Sequence, residues 1–210
     1  MHPSEKEHYC EFIPSIFLKN KRIHQILGPS RIRMLLFLAQ KISGPIFWIK
    51  SSKEKIFLHP DGISPWLNPD RLVFVYAKSQ IDKLWAIEKI IESRSSRLIV
   101  ANLNKNPNFN SIRRLNLAIK SDTSSTNHPI CIFFTDCKID IKGVESRWFI
   151  KSAPSWTALG ENDFKSIKEK WIFKRVYCRT NTIAKWVVIL EKKLLEHSIE
   201  EITVQSFGLS

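Results

Sequence analysis

The chain is short of three things. It has 20 acidic residues against 33 basic ones, so it carries a formal charge of +13. It has four cysteines, Cys10, Cys131, Cys137 and Cys178, and none of them forms a C-x-x-C pair. That scatter argues against a disulfide framework or a zinc site and fits free thiols in a reducing compartment. No apolar run approaches the roughly 20 residues that span a bilayer. The polar start, Met1-His2-Pro3-Ser4-Glu5-Lys6-Glu7, has no secretory apolar core, so a soluble, cytoplasmic protein without membrane contact is expected. The shortage of acid has two readings. One is a polyanionic partner such as nucleic acid. The other is a genome rich in A and T, which raises Lys, Ile, Asn and Phe together.

What is present is enough for a core: 210 residues, 43% of them hydrophobic, suit one domain of ordinary size. The stretch from Arg22 to Ala39 reads as strand, tight turn and helix, with Gly28-Pro29 at the turn. That is the layout of a phosphate-binding loop, where a helix N-terminus offers free N–H groups to an anion. The working parts are missing. Where G-x-x-x-x-G-K-[ST] requires glycine, lysine and a hydroxyl, the chain has Arg33, Met34 and Leu35. Gly28, Pro29, Ser30 and Arg33 therefore outline a degenerate loop, and no cofactor is expected. Any strand and buried helix joined by Gly-Pro would look the same.

Further apolar runs at 46–49, 72–76, 97–101 and 130–134 read as buried strands. Between them, helical spacing is seen in Ile81, Leu84, Ile87 and Ile91, with Ser79 as N-cap, and in Ile112, Leu115 and Ile119, with Asn110 as cap. Around the first of these apolar stripes stand Lys83, Glu88, Lys89 and Glu92. Strands alternating with helices predict an α/β fold with a mostly parallel sheet. Residues 146–151 and 171–177 read as two more strands in an antiparallel extension. The spacing of Ile183, Trp186, Val187, Leu190 and Leu194 predicts a final amphipathic helix over about 182–196. The expected organisation is a lead-in over 1–21 holding a short docking helix, a core over 22–180, and a helix and tail over 181–210. The segment 50–70 is a long, turn-rich loop.

Asn68-Pro69-Asp70-Arg71-Leu72-Val73-Phe74-Val75, Leu84-Trp85-Ala86-Ile87-Glu88, Arg113-Arg114-Leu115-Asn116-Leu117-Ala118, and Glu145-Ser146-Arg147-Trp148 with Ala153-Pro154-Ser155 are similar to segments of the ImuA-like family of bacterial RecA relatives. The shorter alphaproteobacterial members are the most similar, including a loop of the His59-Pro60-Asp61-Gly62 type. The resemblance spans roughly residues 22 to 155. It implies a RecA-like, P-loop NTPase-type core and an accessory role in SOS mutagenesis and translesion synthesis, with translesion polymerase components as partners. It also implies the places of the lost catalytic groups. The strand that ends in a Walker B aspartate in RecA ends here in Asn102, and the water-activating glutamate is replaced by Lys50-Ser51-Ser52. Three losses together argue against an ATPase.

Candidate contacts to DNA or a partner are Arg31, Arg33, Arg113, Arg114, Arg147, Lys151, Trp66 and Trp156. Arg113 and Arg114 are adjacent on a helix, so they point about 100° apart and cannot both be buried. Arg147 and Lys151 alternate with Trp148 and Ile150, which puts the charges on one strand face beside Arg31 and Arg33. A solvated face has the same pattern. Trp48, Trp85, Trp148 and Trp186 lie among apolar neighbours and are expected in the core. Trp66 and Trp156 are the tryptophans expected at the surface. His59 and Asp61 suggest a metal pair, but no third ligand follows from spacing and no metal is expected. The alternative functions are a basic single-stranded DNA-binding module and an SOS-associated inhibitor of cell division.

Overall fold

The computed structural model describes residues 8–54, 58–121, 128–136, 138–154, 166–193 and 199–207. It is a mixed α/β fold built on one nine-stranded sheet. The strands are β3 (Arg22–Leu27), β4 (Ile46–Lys50), β5 (Leu72–Tyr76), β6 (Leu98–Asn102), β7 (Ile130–Phe134), β8 (Ser146–Ser152), β9 (Ser166–Cys178), β10 (Ala184–Lys193) and β11 (Ile199–Phe207). They lie in the order β11-β10-β9-β8-β3-β7-β6-β4-β5. From β8 to β5 every pairing is parallel, and β9, β10 and β11 extend the sheet antiparallel.

Among the described residues, three helices longer than one turn flank the sheet: α1 (Arg31–Lys41), α2 (Gln80–Glu92) and α3 (Phe109–Ser121). All six residues from Met34 to Ala39 are buried, because α1 lies between the sheet and a cover of other elements. The opposite face is closed by α2 and α3 through Leu84, Ile87, Ile91, Ile112, Leu115 and Ile119. The Ser79 side chain accepts from the Asp82 N–H while the Asp82 carboxylate accepts from the Ser79 N–H, a complete capping box. For α3 the cap is Asn108, not Asn110, since the Asn108 Oδ1 accepts from the Asn110 N–H at 2.8 Å. Arg71 acts as a staple below α1. It donates to the carbonyls of Ala39 and Gly44, each at 2.8 Å, and to that of Ile42, satisfying acceptors that a helix end leaves open.

Three larger expectations fail. Residues 146–151, expected in the antiparallel extension, form β8, which pairs parallel with β3, so the extension begins only at β9. The lead-in forms a hairpin, β1 (Tyr9–Ile13) with β2 (Ile16–Lys19), rather than a docking helix. Its Phe12, Ile13, Ile16 and Leu18 are buried over the α1 face. The predicted final helix is instead strand β10, hydrogen-bonded to β9 and β11 on its two sides. Ile183, Trp186, Val187 and Leu190 satisfy helical spacing, with Leu194 outside the described residues, but the continuous apolar run from Trp186 to Leu190 also suits a strand buried on both faces. Trp186, Val188 and Leu190 join the α1-side core, where Trp186 stacks on Trp148 with ring centroids 5.4 Å apart.

The long loop is also more ordered than its composition suggests. Pro60–Ile63 forms one helical turn and Pro69–Arg71 a 3-10 turn, with Ile63, Trp66 and Leu67 buried between them. Among the described residues no helix is long and apolar enough to cross a membrane.

Candidate functional site

The parallel strands end at one edge of the sheet, and there the connections from β3 and β6 pass over opposite faces by way of α1 and α3. Open α/β sheets hold ligands at that kind of divergence, outside the carboxyl ends of the strands. A cavity of about 180 Å³ lies at this edge, lined by residues that include Arg31, Glu54, Asn102, Phe134, Thr135 and Asp136. The degenerate loop borders it.

The loop is closed by its own chain. Gly28 has φ +96, and a Cβ added there would lie 2.2 Å from the Ile150 carbonyl oxygen on β8. The glycine is needed for that close approach. The Ser30 N–H donates to the same carbonyl at 3.2 Å, the Arg31 N–H to Gly28 at 3.3 Å and the Arg33 N–H to Ser30 at 2.9 Å. Amides that would turn toward a phosphate in a working loop are used inside the protein, and an anion at the turn would meet a carbonyl oxygen.

Where the second and fourth parallel strands end, side chains form a closed network. The Asn102 Oδ1 accepts from Trp48 Nε1 at 2.9 Å and its Nδ2 donates to Glu54 Oε2 at 2.5 Å. Lys83 reaches Glu54 Oε1 and the Asn102 carbonyl, both at 2.7 Å. Burial would raise the Glu54 carboxyl, but hydrogen bonds from Lys83 and Asn102 outweigh it and hold the group below its ordinary value. This carboxylate is therefore ionised, paired and fixed. Lys83, expected among the exposed charges around α2, is 4% exposed. Neither Glu54 nor Lys83 stands out in the sequence as a site residue; Ser51-Ser52 after β4 is the only local signal, as a turn that brings Glu54 back over the strand end.

The predicted contact residues are scattered. Arg33 is enclosed by Trp66 and Trp171, at 4.8 and 4.5 Å to the ring centroids, and paired with Glu169 at 3.1 Å. Trp66, expected at the surface, is buried against Phe37. The cation and the indole answer each other: a guanidinium covers the ring that would otherwise face solvent. Arg31 borders the cavity beside the Phe134 ring, and its Nε is buried with no hydrogen-bond partner.

Arg147 turns to the opposite face from Arg33, where it bonds Gln25 Oε1 at 2.8 Å and pairs with Asp140. Lys151 is exposed farther along β8. A continuous basic strand face shared with Arg33 is therefore absent. Arg114 pairs with Glu88 at 3.0 Å, while Arg113 is exposed near the opposite edge of the sheet. Trp85, expected in the core, is 59% exposed on α2. Trp156 and Cys137 lie outside the described residues.

Cys10, Cys131 and Cys178 are free thiols, and burial pushes Cys10 up to about 11, so it stays protonated and unreactive. His59 and Asp61 form an exposed pair at 3.6 Å. Among the described residues no group of three His, Cys, Asp or Glu side chains is arranged to hold a metal ion. No family model matches the chain, and no curated protein matches it.

Proposed function

We propose that the protein is a non-hydrolysing RecA-like accessory protein that works by binding other macromolecules. The observation that carries this reading is the closed loop: the Ile150 carbonyl occupies the turn at Gly28 and takes the Ser30 N–H. The strand order supports a RecA-like core. Counted from β3, the parallel strands run 3-2-4-5-1-6, which differs from the 3-2-1-4-5-6 and 2-1-3-4-5 orders of the common doubly wound folds. The first strand lies in mid-sheet and the antiparallel extension lies at one side of it. The resemblance of the four sequence segments to the ImuA-like family directs the reading to SOS mutagenesis, with cytoplasmic translesion polymerase components as partners. Exposed Val73, Phe74 and Tyr76 on edge strand β5, with Trp85 and Ile81 exposed on α2, are consistent with a protein-binding role.

Calorimetric titration with Mg-ATP and a phosphate-release assay test the reading. Neither heat of binding nor turnover is expected. A phosphate-release rate that disappears in an Asn102→Ala or Arg33→Ala variant would overturn it. Affinity capture from the native host then separates partners: a translesion polymerase component supports the accessory role, and a cell-division protein in its place refutes it.

A further inference from the structure

At the amino ends of the parallel strands a second cavity, of about 210 Å³, is lined by Arg22, Arg113, Lys120 and Arg179, with Phe109 and Asn116 among its other walls. Three elements bring these residues together. Arg22 opens β3, Phe109, Arg113, Asn116 and Lys120 follow one another along α3, and Arg179 follows β9.

Among the described residues, three of these four charges are not neutralised. Among the described residues, the carboxylate that Arg22 meets beside the hollow, Glu145, is buried and already engaged by Arg22 at 3.2 Å and Lys19 at 3.9 Å. The side chains of Arg113, Lys120 and Arg179 make no ion pair or hydrogen bond among the described residues. Three unpaired cations around one concavity repel one another, and a bound anion relieves that repulsion.

The floor is shaped by Gly143, with φ +93. A Cβ there would come within 3.0 Å of Ile112 and 3.5 Å of the Phe109 ring. The absent side chain lets α3 settle against this turn and props Phe109 at the rim, where it is 55% exposed. Asn116 fixes the same turn by donating to the Gly143 carbonyl at 3.0 Å. An exposed aromatic ring beside a cationic hollow fits a nucleotide unit, with phosphate among the cations and base against the ring. A duplex keeps its bases stacked on one another, so the ring favours a single strand.

We infer that this pocket binds the backbone of single-stranded nucleic acid, with Arg113, Lys120 and Arg179 on phosphate and Phe109 stacking a base. It lies at the end of the sheet opposite the closed loop and stands whether or not the protein binds ATP.

The test is fluorescence anisotropy of a labelled 20-nucleotide single strand with the full chain, from low to moderate salt. An R113A/R179A variant should bind on the order of tenfold or more weakly, with the slope of log K against log salt reduced by about one to two. An F109A variant should lose about tenfold with its salt slope unchanged. A K53A/K78A variant removes equal charge from exposed positions outside the pocket and should bind within about twofold of the native chain, where a diffuse charge effect is all it can lose. The inference is overturned if K53A/K78A weakens binding as much as R113A/R179A does. It is equally overturned if the native chain binds no strand at low salt, or if poly-glutamate competes as well as an unlabelled strand.

Discussion

Both ends of the parallel sheet hold cations and differ in how many they leave unpaired. At the carboxyl end, Lys83 is neutralised by Glu54, Arg33 by Glu169 and two indole rings, and the loop amides by backbone carbonyls. At the amino end, Arg113, Lys120 and Arg179 surround a hollow and pair with no acid among the described residues. The carboxyl end is where this kind of fold ordinarily binds ligands. Here it has become part of the folded core. The difference teaches that charge content says little about binding; what counts is how many charges the protein leaves unspent, and where.

The sharpest way to break this contrast is at Gly28. If the turn is structural, Gly28→Ala must move Ile150 or the loop, because the new Cβ would lie 2.2 Å from a backbone oxygen at a positive φ. A loss of about 4 kcal/mol in denaturant unfolding, or failure to fold, is expected. A variant of near-native stability would show that the loop can open, and would reinstate it as an anion site. Next in size is the buried pair. Glu54→Gln leaves Lys83 charged and almost inaccessible to water, at a cost of about 3 kcal/mol. The double variant E54Q/K83M should recover most of that loss, as removal of both partners usually does.

Acid separates the ends by pH window. His24, at the amino end, is fully enclosed. Its bonding is satisfied by one neutral tautomer, in which Nε2–H donates to the Lys19 carbonyl at 2.9 Å and Nδ1 accepts from the Ser146 hydroxyl at 2.7 Å. The Ser146 oxygen in turn accepts from Trp148 Nε1. Burial lowers the ring to about 4 from 6.5, against the opposing pull of the Lys19 carbonyl and Glu145. Between those values the unfolded chain binds a proton that the folded chain refuses, so stability falls as pH drops below 6.5. From pH 7 to 5 the expected loss is about 2 kcal/mol. Glu54 acts in the same direction in a lower window: its carboxyl is held low, so its contribution is full above its ordinary value of 4.5 and fades as pH falls through its folded value. Urea titrations at stepped pH should show the first loss beginning near 6.5 and absent in H24Q.

Much of the frame was legible from the chain. Continuous apolar runs gave β4 to β7, and Ser79 with Asp82 gave the start of α2, because buried parallel strands and capping boxes are local patterns; β8, which alternates polar and apolar residues, was read as antiparallel and pairs parallel with β3. Strand β10 was not legible as a strand, since its apolar run satisfies both periods and only pairing with β9 and β11 decides between them. The degenerate loop was visible in outline from Gly28, but its closure depends on Ile150, more than a hundred residues away. Arg33 and Trp66 were singled out separately as contact candidates, and they pack on each other, leaving Trp66 buried and Arg33 partly covered. The amino-end pocket was hidden for the same reason: of its cations only Arg113 was conspicuous, and Arg22, Lys120 and Arg179 meet it through three-dimensional proximity alone.

The smallest predicted effect is the one that keeps the two ends distinct. Substitutions of exposed groups with no partner change stability little, within about 0.5 kcal/mol, because nothing in the folded state is lost with them. R113A/R179A should therefore unfold at the native denaturant midpoint, or slightly above it as mutual repulsion is relieved. A loss of 2 kcal/mol or more would mean that these arginines are fastened into the structure like Arg33, and the contrast between the ends would fail. With stability unchanged, any fall in affinity for a single strand belongs to the pocket and not to the fold. The same measurement at high salt adds a second check, since screening should remove the repulsion and bring the native and variant midpoints together.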